Sequence, residues 1–271
     1  MDDIAEKRVH DARREATVAH VASETGLVRI SVAADRVGRF ELARRGAVRD
    51  VAAAGGTVVV ATGEDVVVDR EPTGFGPAVA VGADRDGTPL AVDDEGRIAR
   101  RTPNEPDGWD ALGRVADARA VDAGLVAAAD GVHRVTPDGL AHAGLTDARD
   151  VAGAGRPLAA TGDGLYVLGN GWLDRLDGPF RAVAAAPDGR ATAVGDGMYV
   201  RTAADAGWRG VDLPDGVAPT DVVDVGHAPD ARYAVTGDGT ILADAGDGWR
   251  RRALGMTGVR RLAVGGAADA D

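Results

Sequence analysis

Residues 146–176 read TDARDVAGAGRPLAATGDGLYVLGNGWLDRL, four short apolar runs separated by turn residues. The first run begins at Val151 and gives way to Gly153 and Gly155. The second covers Leu158 to Thr161 and ends at Asp163-Gly164. The third, Leu165 to Leu168, is closed by Gly169-Asn170-Gly171, and Trp172 opens the fourth. Gly, Asn and Asp stand where tight hairpins need positive φ, and runs this short are strands rather than helices. A lone four-stranded meander exposes an apolar face it cannot cover, so it must stack on copies of itself.

The copies are present along the chain. Val51, Val79, Val121, Val151, Val183, Val225 and Leu262 head successive first strands, 28 to 42 residues apart. Second strands follow at 57–61, 89–92, 125–128, 158–161, 191–194 and 232–235. Asp-Gly turns recur at Asp130-Gly131, Asp163-Gly164, Asp196-Gly197 and Asp238-Gly239. All four Trp follow a Gly, at 108–109, 171–172, 207–208 and 248–249. A large ring recurring at this point in four of the copies reads as a wedge between stacked sheets. Residues 18–22, 27–32 and 39–43 supply three strands with no first strand before them, and 259–264 is a first strand with nothing after it. Joined, they make a seventh sheet that closes a ring and removes its edges. The reading is therefore all-β: a seven-bladed β-propeller of four-stranded antiparallel blades, one domain over 1–271, its N- and C-terminal strands sharing a blade. Residues 1–16 stay unplaced, with Arg8-Val9-His10 a competitor for the same edge. The second blade, with only 28 residues between Val51 and Val79, is expected to have a vestigial outer strand.

Composition narrows the function classes. The formal net charge is −12; Asp supplies 35 of 43 acidic residues, and Lys7 is the only lysine beside 30 Arg. An Asp-rich, Lys-poor surface fits a protein of concentrated salt, and it disfavours nucleic acid as a partner. No apolar run approaches the roughly 20 residues of a membrane helix, and MDDIAEKRVH is no signal peptide; a cytoplasmic protein is expected. With no Cys, disulfides, thiolate metal sites and a Cys nucleophile are all out. His10, His20, His133, His142 and His227 lack metal-ligand spacing, although His133 and His142 fall on consecutive strands. Ser23 and Ser31, the only serines, sit in no nucleophile elbow, and there is no Gly-Lys-Ser/Thr phosphate loop. No metal or cofactor is expected.

Two resemblances follow. ADAGDGWRR (243–251) and TAADAGWRG (202–210) resemble degenerate Asp-boxes of sialidase-type propellers, without the opening Ser or Thr and without the residue between Gly and Trp. The chain as a whole, through EKRVH, GLVRISV, RDVAAAGG and TGDGLYV, resembles a haloarchaeal β-propeller family of unassigned activity. That resemblance implies the fold and a salt-loving archaeal source, and implies no chemistry.

One polar constellation emerges from the alignment of copies. Two residues before the anchoring apolar position stand Arg49, Arg119, Arg149, Arg181 and Arg260; immediately before it stand Asp50, Asp150 and Asp224. In a propeller these positions start the innermost strands, so they gather at one mouth of the central channel. Arg and Asp alternating there would pair between blades. Five Arg against three Asp also leave positive charge suited to a phosphate or carboxylate. The expected function is a noncatalytic binding or interaction module taking an anionic small ligand or an acidic peptide end. The alternative is an enzyme acting on a sugar or phosphorylated metabolite in the same funnel.

Overall fold

The computed structural model describes residues 17–102, 105 and 108–267; the Arg8-Val9-His10 reading lies outside them. Seven four-stranded antiparallel sheets surround a channel. Blades two to seven take residues 48–72, 80–114, 118–144, 148–177, 182–211 and 222–253 in order, each running from the axis outward. Blade one combines residues 17–45 with the C-terminal strand Val259–Ala267, which lies innermost and pairs Val264 with Ala19 and Leu262 with Val21. Closure by shared termini is thus as the repeat demanded. Among the described residues the only helical segment is one 3-10 turn, Pro219–Asp221, and no helix is long and apolar enough to cross a membrane.

The core is split into seven apolar clusters, one at each blade junction. That follows from a sheet whose two faces both meet neighbours: alternate residues of one strand belong to different clusters. Tyr233 of blade seven is fully buried against blade one, and its hydroxyl donates to the Ala34 carbonyl at 2.8 Å. Each Trp joins the junction with the preceding blade. Trp109 and Trp172 donate from Nε1 to the Thr73 and Ala143 carbonyls of that blade, at 3.3 and 2.8 Å. All four rings are half-buried wedges rather than core residues.

Blade two is short, as its spacing indicated. Its outer strand is reduced to Glu71–Pro72. The loop that follows is tied down by Asp65, whose carboxylate accepts the backbone N–H groups of Val66, Thr73, Gly74 and Gly76 at 2.8 to 2.9 Å. Burial works against the charged form, yet these bonds together hold the Asp65 carboxyl below its ordinary range.

Small residues let the inner strands converge on the axis. A Cβ at Gly82 would stand 2.3 Å from the Val121 carbonyl oxygen of the next blade, a backbone atom that cannot turn aside. Gly82→Ala should therefore cost about 1–3 kcal/mol through overpacking. At Gly226 the added methyl meets side chains only, Val264 Cγ2 at 2.7 Å and Leu262 Cδ2 at 3.5 Å, so Gly226→Ala should cost less. Urea melts of the two variants check the order.

Candidate functional site

The inner strand of each blade has one edge with no strand beside it, because the sheets splay outward from the axis. Its N–H and C=O groups still need partners. The repeated Arg-Asp pair supplies them across the junctions. Asp50 accepts the Val81 N–H of blade three at 2.9 Å, Asp150 the Val183 N–H of blade six at 2.8 Å, and Asp224 the Leu262 N–H of blade one at 2.7 Å. Asp122 does the same one strand-period further along, taking the Gly153 N–H at 2.7 Å. Arg49, Arg119 and Arg181 donate to the Ala78, Ala148 and Val222 carbonyls of the following blade, at 3.2, 3.1 and 3.0 Å. The common register also corrects one anchor: blade three is headed by Val81, not Val79, because Val81 receives the bond that Val183 and Leu262 receive elsewhere.

The alternating Arg–Asp pairing expected at the mouth does not form. The two columns separate into layers because neighbouring residues of a strand point opposite ways. Arg119 and Arg149 share Asp147, at 2.6 and 3.0 Å; Arg260 pairs with Glu24 at 3.0 Å; Arg181 also reaches the Gly195 and Pro219 carbonyls. Asp50, Asp150 and Asp224 turn inward and are buried. Their common partner is Arg261, which lies across the channel: Nε is 3.5 Å from Asp50, Nη1 is 3.4 Å from Asp150 and 4.0 Å from Asp224. Its Nη2 donates to the Arg119 carbonyl of blade four at 2.9 Å. Arg261 occupies in blade one the position that Asp occupies in blades two, five and seven. Reading that column through to Leu262 would have found it in the sequence.

Three buried carboxylates around one guanidinium cannot all carry full charge cheaply. Burial pushes Asp50 up to about 6 and Asp224 up to about 7, with Arg261 opposing; Asp150 is raised for the same reason. For Arg261, burial acts against the charge, and the three carboxylates outweigh it, so its pKa is raised. Beside this cluster lies a cavity of about 190 Å³ lined by Ala52, Ala152, Ala184, Gly226 and Ala263, with Asp122 and His227 at its wall. Asp122 opens to the channel but is enclosed by the blades; that enclosure raises its carboxyl to about 6, Gly153 opposing and Asp150 adding. Burial lowers His227 to about 4, so it is a neutral imidazole bonded through Nε2 to Thr192 at 3.1 Å. His133 and His142 do pair across strands, rings 5.1 Å apart, with His133 on Asp130 at 2.9 Å. Among the described residues no group of three His, Asp or Glu side chains has metal-holding geometry.

Fold and channel together define a seven-bladed β-propeller whose axis is crossed by a buried Arg–carboxylate cluster. The chain belongs to the HVO_0234-like β-propeller family, whose model it matches over residues 3–265. Its fold is similar to apo AztD from Citrobacter koseri, at 9% identity, TM-score 0.60, covering 94% of this chain and 99% of that one. The computationally designed Ika8 protein is similar at 15% identity and TM-score 0.59, over 92% and 90% of the two chains. A chain of the nidogen/laminin complex is similar at 11% identity and TM-score 0.54, over 92% and 98%. At these identities the likeness concerns the fold alone. No curated protein matches the chain.

Proposed function

We propose that the protein is a noncatalytic binding module of a salt-adapted archaeal cytoplasm, taking an anionic small ligand or an acidic peptide end at the mouth where the first strands begin. The ligand-binding set is Arg49, Arg119, Arg149, Arg181 and Arg260, with Asp50, Asp150 and Asp224 as the framework beneath. One observation carries this reading: the mouth arginines are held largely by backbone carbonyls. Among the described residues only Asp147 and Glu24 pair with them, and Arg49 and Arg181 have carbonyl partners alone. Positive charge is therefore left over at the rim, in side chains suited to oxyanions. The inner carboxylates are occupied by backbone N–H groups and Arg261, which favours a module over a catalyst. The second reading, an enzyme acting on a sugar or phosphorylated metabolite, is favoured by Asp122, a carboxyl of raised pKa facing the cavity.

Arg149→Ala separates rim binding from rim structure. Asp147 keeps Arg119 in that variant, and the pair lost is half-exposed, so stability should fall by no more than about 1 kcal/mol. Wild-type Tm should rise with about 50 mM phosphate or citrate at constant ionic strength, and Arg149→Ala should lose most of that rise. A wild-type Tm indifferent to both anions would end the proposal.

A further inference from the structure

The described residues with buried charged side chains are Asp50, Asp150, Arg201, Asp224 and Asp244. The four carboxylates each have an Arg within 4.0 Å: Arg261 for three of them and Arg232 for Asp244. Arg201, with 4% exposure, has no carboxylate partner among the described residues. Its Nε donates to the Gly189 carbonyl at 2.9 Å, and its Nη2 is buried with no hydrogen bond. A buried charge left this way is costly unless something neutralises it.

Comparison with blade seven shows what is missing. There Arg232 on the second strand faces Asp244 on the third, and Arg232 lies over Trp249 with its guanidinium 5.3 Å from the ring centre. In blade six the corresponding cross-strand pair is Ala191 and Arg201, and Arg201 lies over Trp208 at 5.4 Å. The guanidinium has taken the carboxylate's place, and alanine stands where its counterion would be. The Trp208 indole adds a second vacant donor: its Nε1 is buried and unbonded, whereas those of Trp109 and Trp172 reach carbonyls. From blade five come Arg156 and Arg175, both exposed and neither paired among the described residues. Their charges bear on Arg201 and, after burial itself, add to the lowering of its pKa. Arg156 stretches outward along its blade, its Nη2 being 3.9 Å from where a Cβ on Gly169 would lie.

We propose that the junction of blades five and six is an oxyanion site, in which Arg201, Arg156, Arg175 and the Trp208 Nε1–H take a phosphate or carboxylate group. Guanidinium forks match such groups geometrically, and an indole N–H supplies a neutral donor beside them. The site is independent of the channel mouth. It stands on a buried cation and an orphaned indole, neither of which belongs to the Arg-Asp repeat.

The indole gives a local readout, since four Trp yield four side-chain N–H signals in a ¹⁵N-labelled protein. Trp208→Phe identifies its own signal. Titration with inorganic phosphate, and separately acetate, against KCl at matched ionic strength should move the Trp208 signal saturably with at least one oxyanion and not with chloride. Arg201→Gln should abolish that shift and Arg149→Ala should leave it intact, which distinguishes this site from the mouth. Should Arg201→Gln fail to fold, Arg156→Ala changes only an exposed side chain and should weaken binding about tenfold, the effect of one charge-assisted hydrogen bond. A Trp208 signal unmoved by both oxyanions, or moved as far in Arg201→Gln or Arg156→Ala as in the wild type, would overturn the proposal. An equal response to chloride would show a halide site instead.

Discussion

Removing residues 259–271 should abolish cooperative unfolding and leave the chain insoluble. The strand Val259–Ala267 is the innermost of blade one, and without it the strand Thr17–Ser23 loses its inner partner along nearly its whole length. Val259 and Leu262 leave the cluster that joins blades seven and one, which also holds Tyr233, Ile30 and Met256. Full burial of such side chains is worth about 1.5–3 kcal/mol each. The same deletion removes Arg261 and the N–H that Asp224 accepts. Together these losses rival the roughly 5–15 kcal/mol that holds a typical domain folded. They also open a sheet edge to aggregation. Circular dichroism melts and gel filtration of the truncation settle the matter: a soluble 1–258 chain melting as the full one does would show that closure is dispensable.

Arg261→Ala should be the most damaging single substitution in the channel. It leaves Asp50, Asp150 and Asp224 buried without their common cation, and breaking a buried pair from one side costs about 3–5 kcal/mol. The loss should depend on pH in a definite direction. Asp50 and Asp224 have folded pKa values of about 6 and 7, raised above the unfolded carboxylate value near 4. Their contribution is therefore full below about pH 4 and is lost as pH rises through 6 to 7. Without Arg261 these carboxyls titrate higher still. The gap in stability between wild type and variant should accordingly widen from about pH 5 to pH 8. His20 and His227, both lowered to about 4 chiefly by burial, have the opposite slope, since their contribution is lost as pH falls. They are present in both proteins and cancel in the difference. Urea unfolding at the two pH values measures it. A gap that stays constant or narrows toward pH 8 would mean that the carboxylates do not depend on Arg261.

The repeat, the blade count, the closure and the weak outer strand of blade two were all legible in the sequence. Each rests on local chemistry. Asp-Gly and Gly-Asn-Gly fix hairpins, alternate apolar residues fix two buried faces, and three strands at one end with one at the other leave a single way to remove the edges. The gathering of Asp50, Asp150 and Asp224 at the axis was legible too, since a column in a repeat becomes a ring. What the column could not tell was which neighbour each member meets. Arg49 and Asp50 adjoin in the chain, yet one reaches a carbonyl of the next blade and the other a guanidinium from the C-terminal strand. Arg261 was hidden beside Arg260, and a one-residue difference in a strand reverses the direction of a side chain. Arg201 was hidden altogether. Its lack of a counterion depends on Ala191 across the sheet and on Arg156 and Arg175 from another blade. Strand and turn are decided by residues a few positions apart, so the sequence alone determined them. Charge balance in the interior is decided by residues brought together across blade junctions, and only the packed ring specifies that.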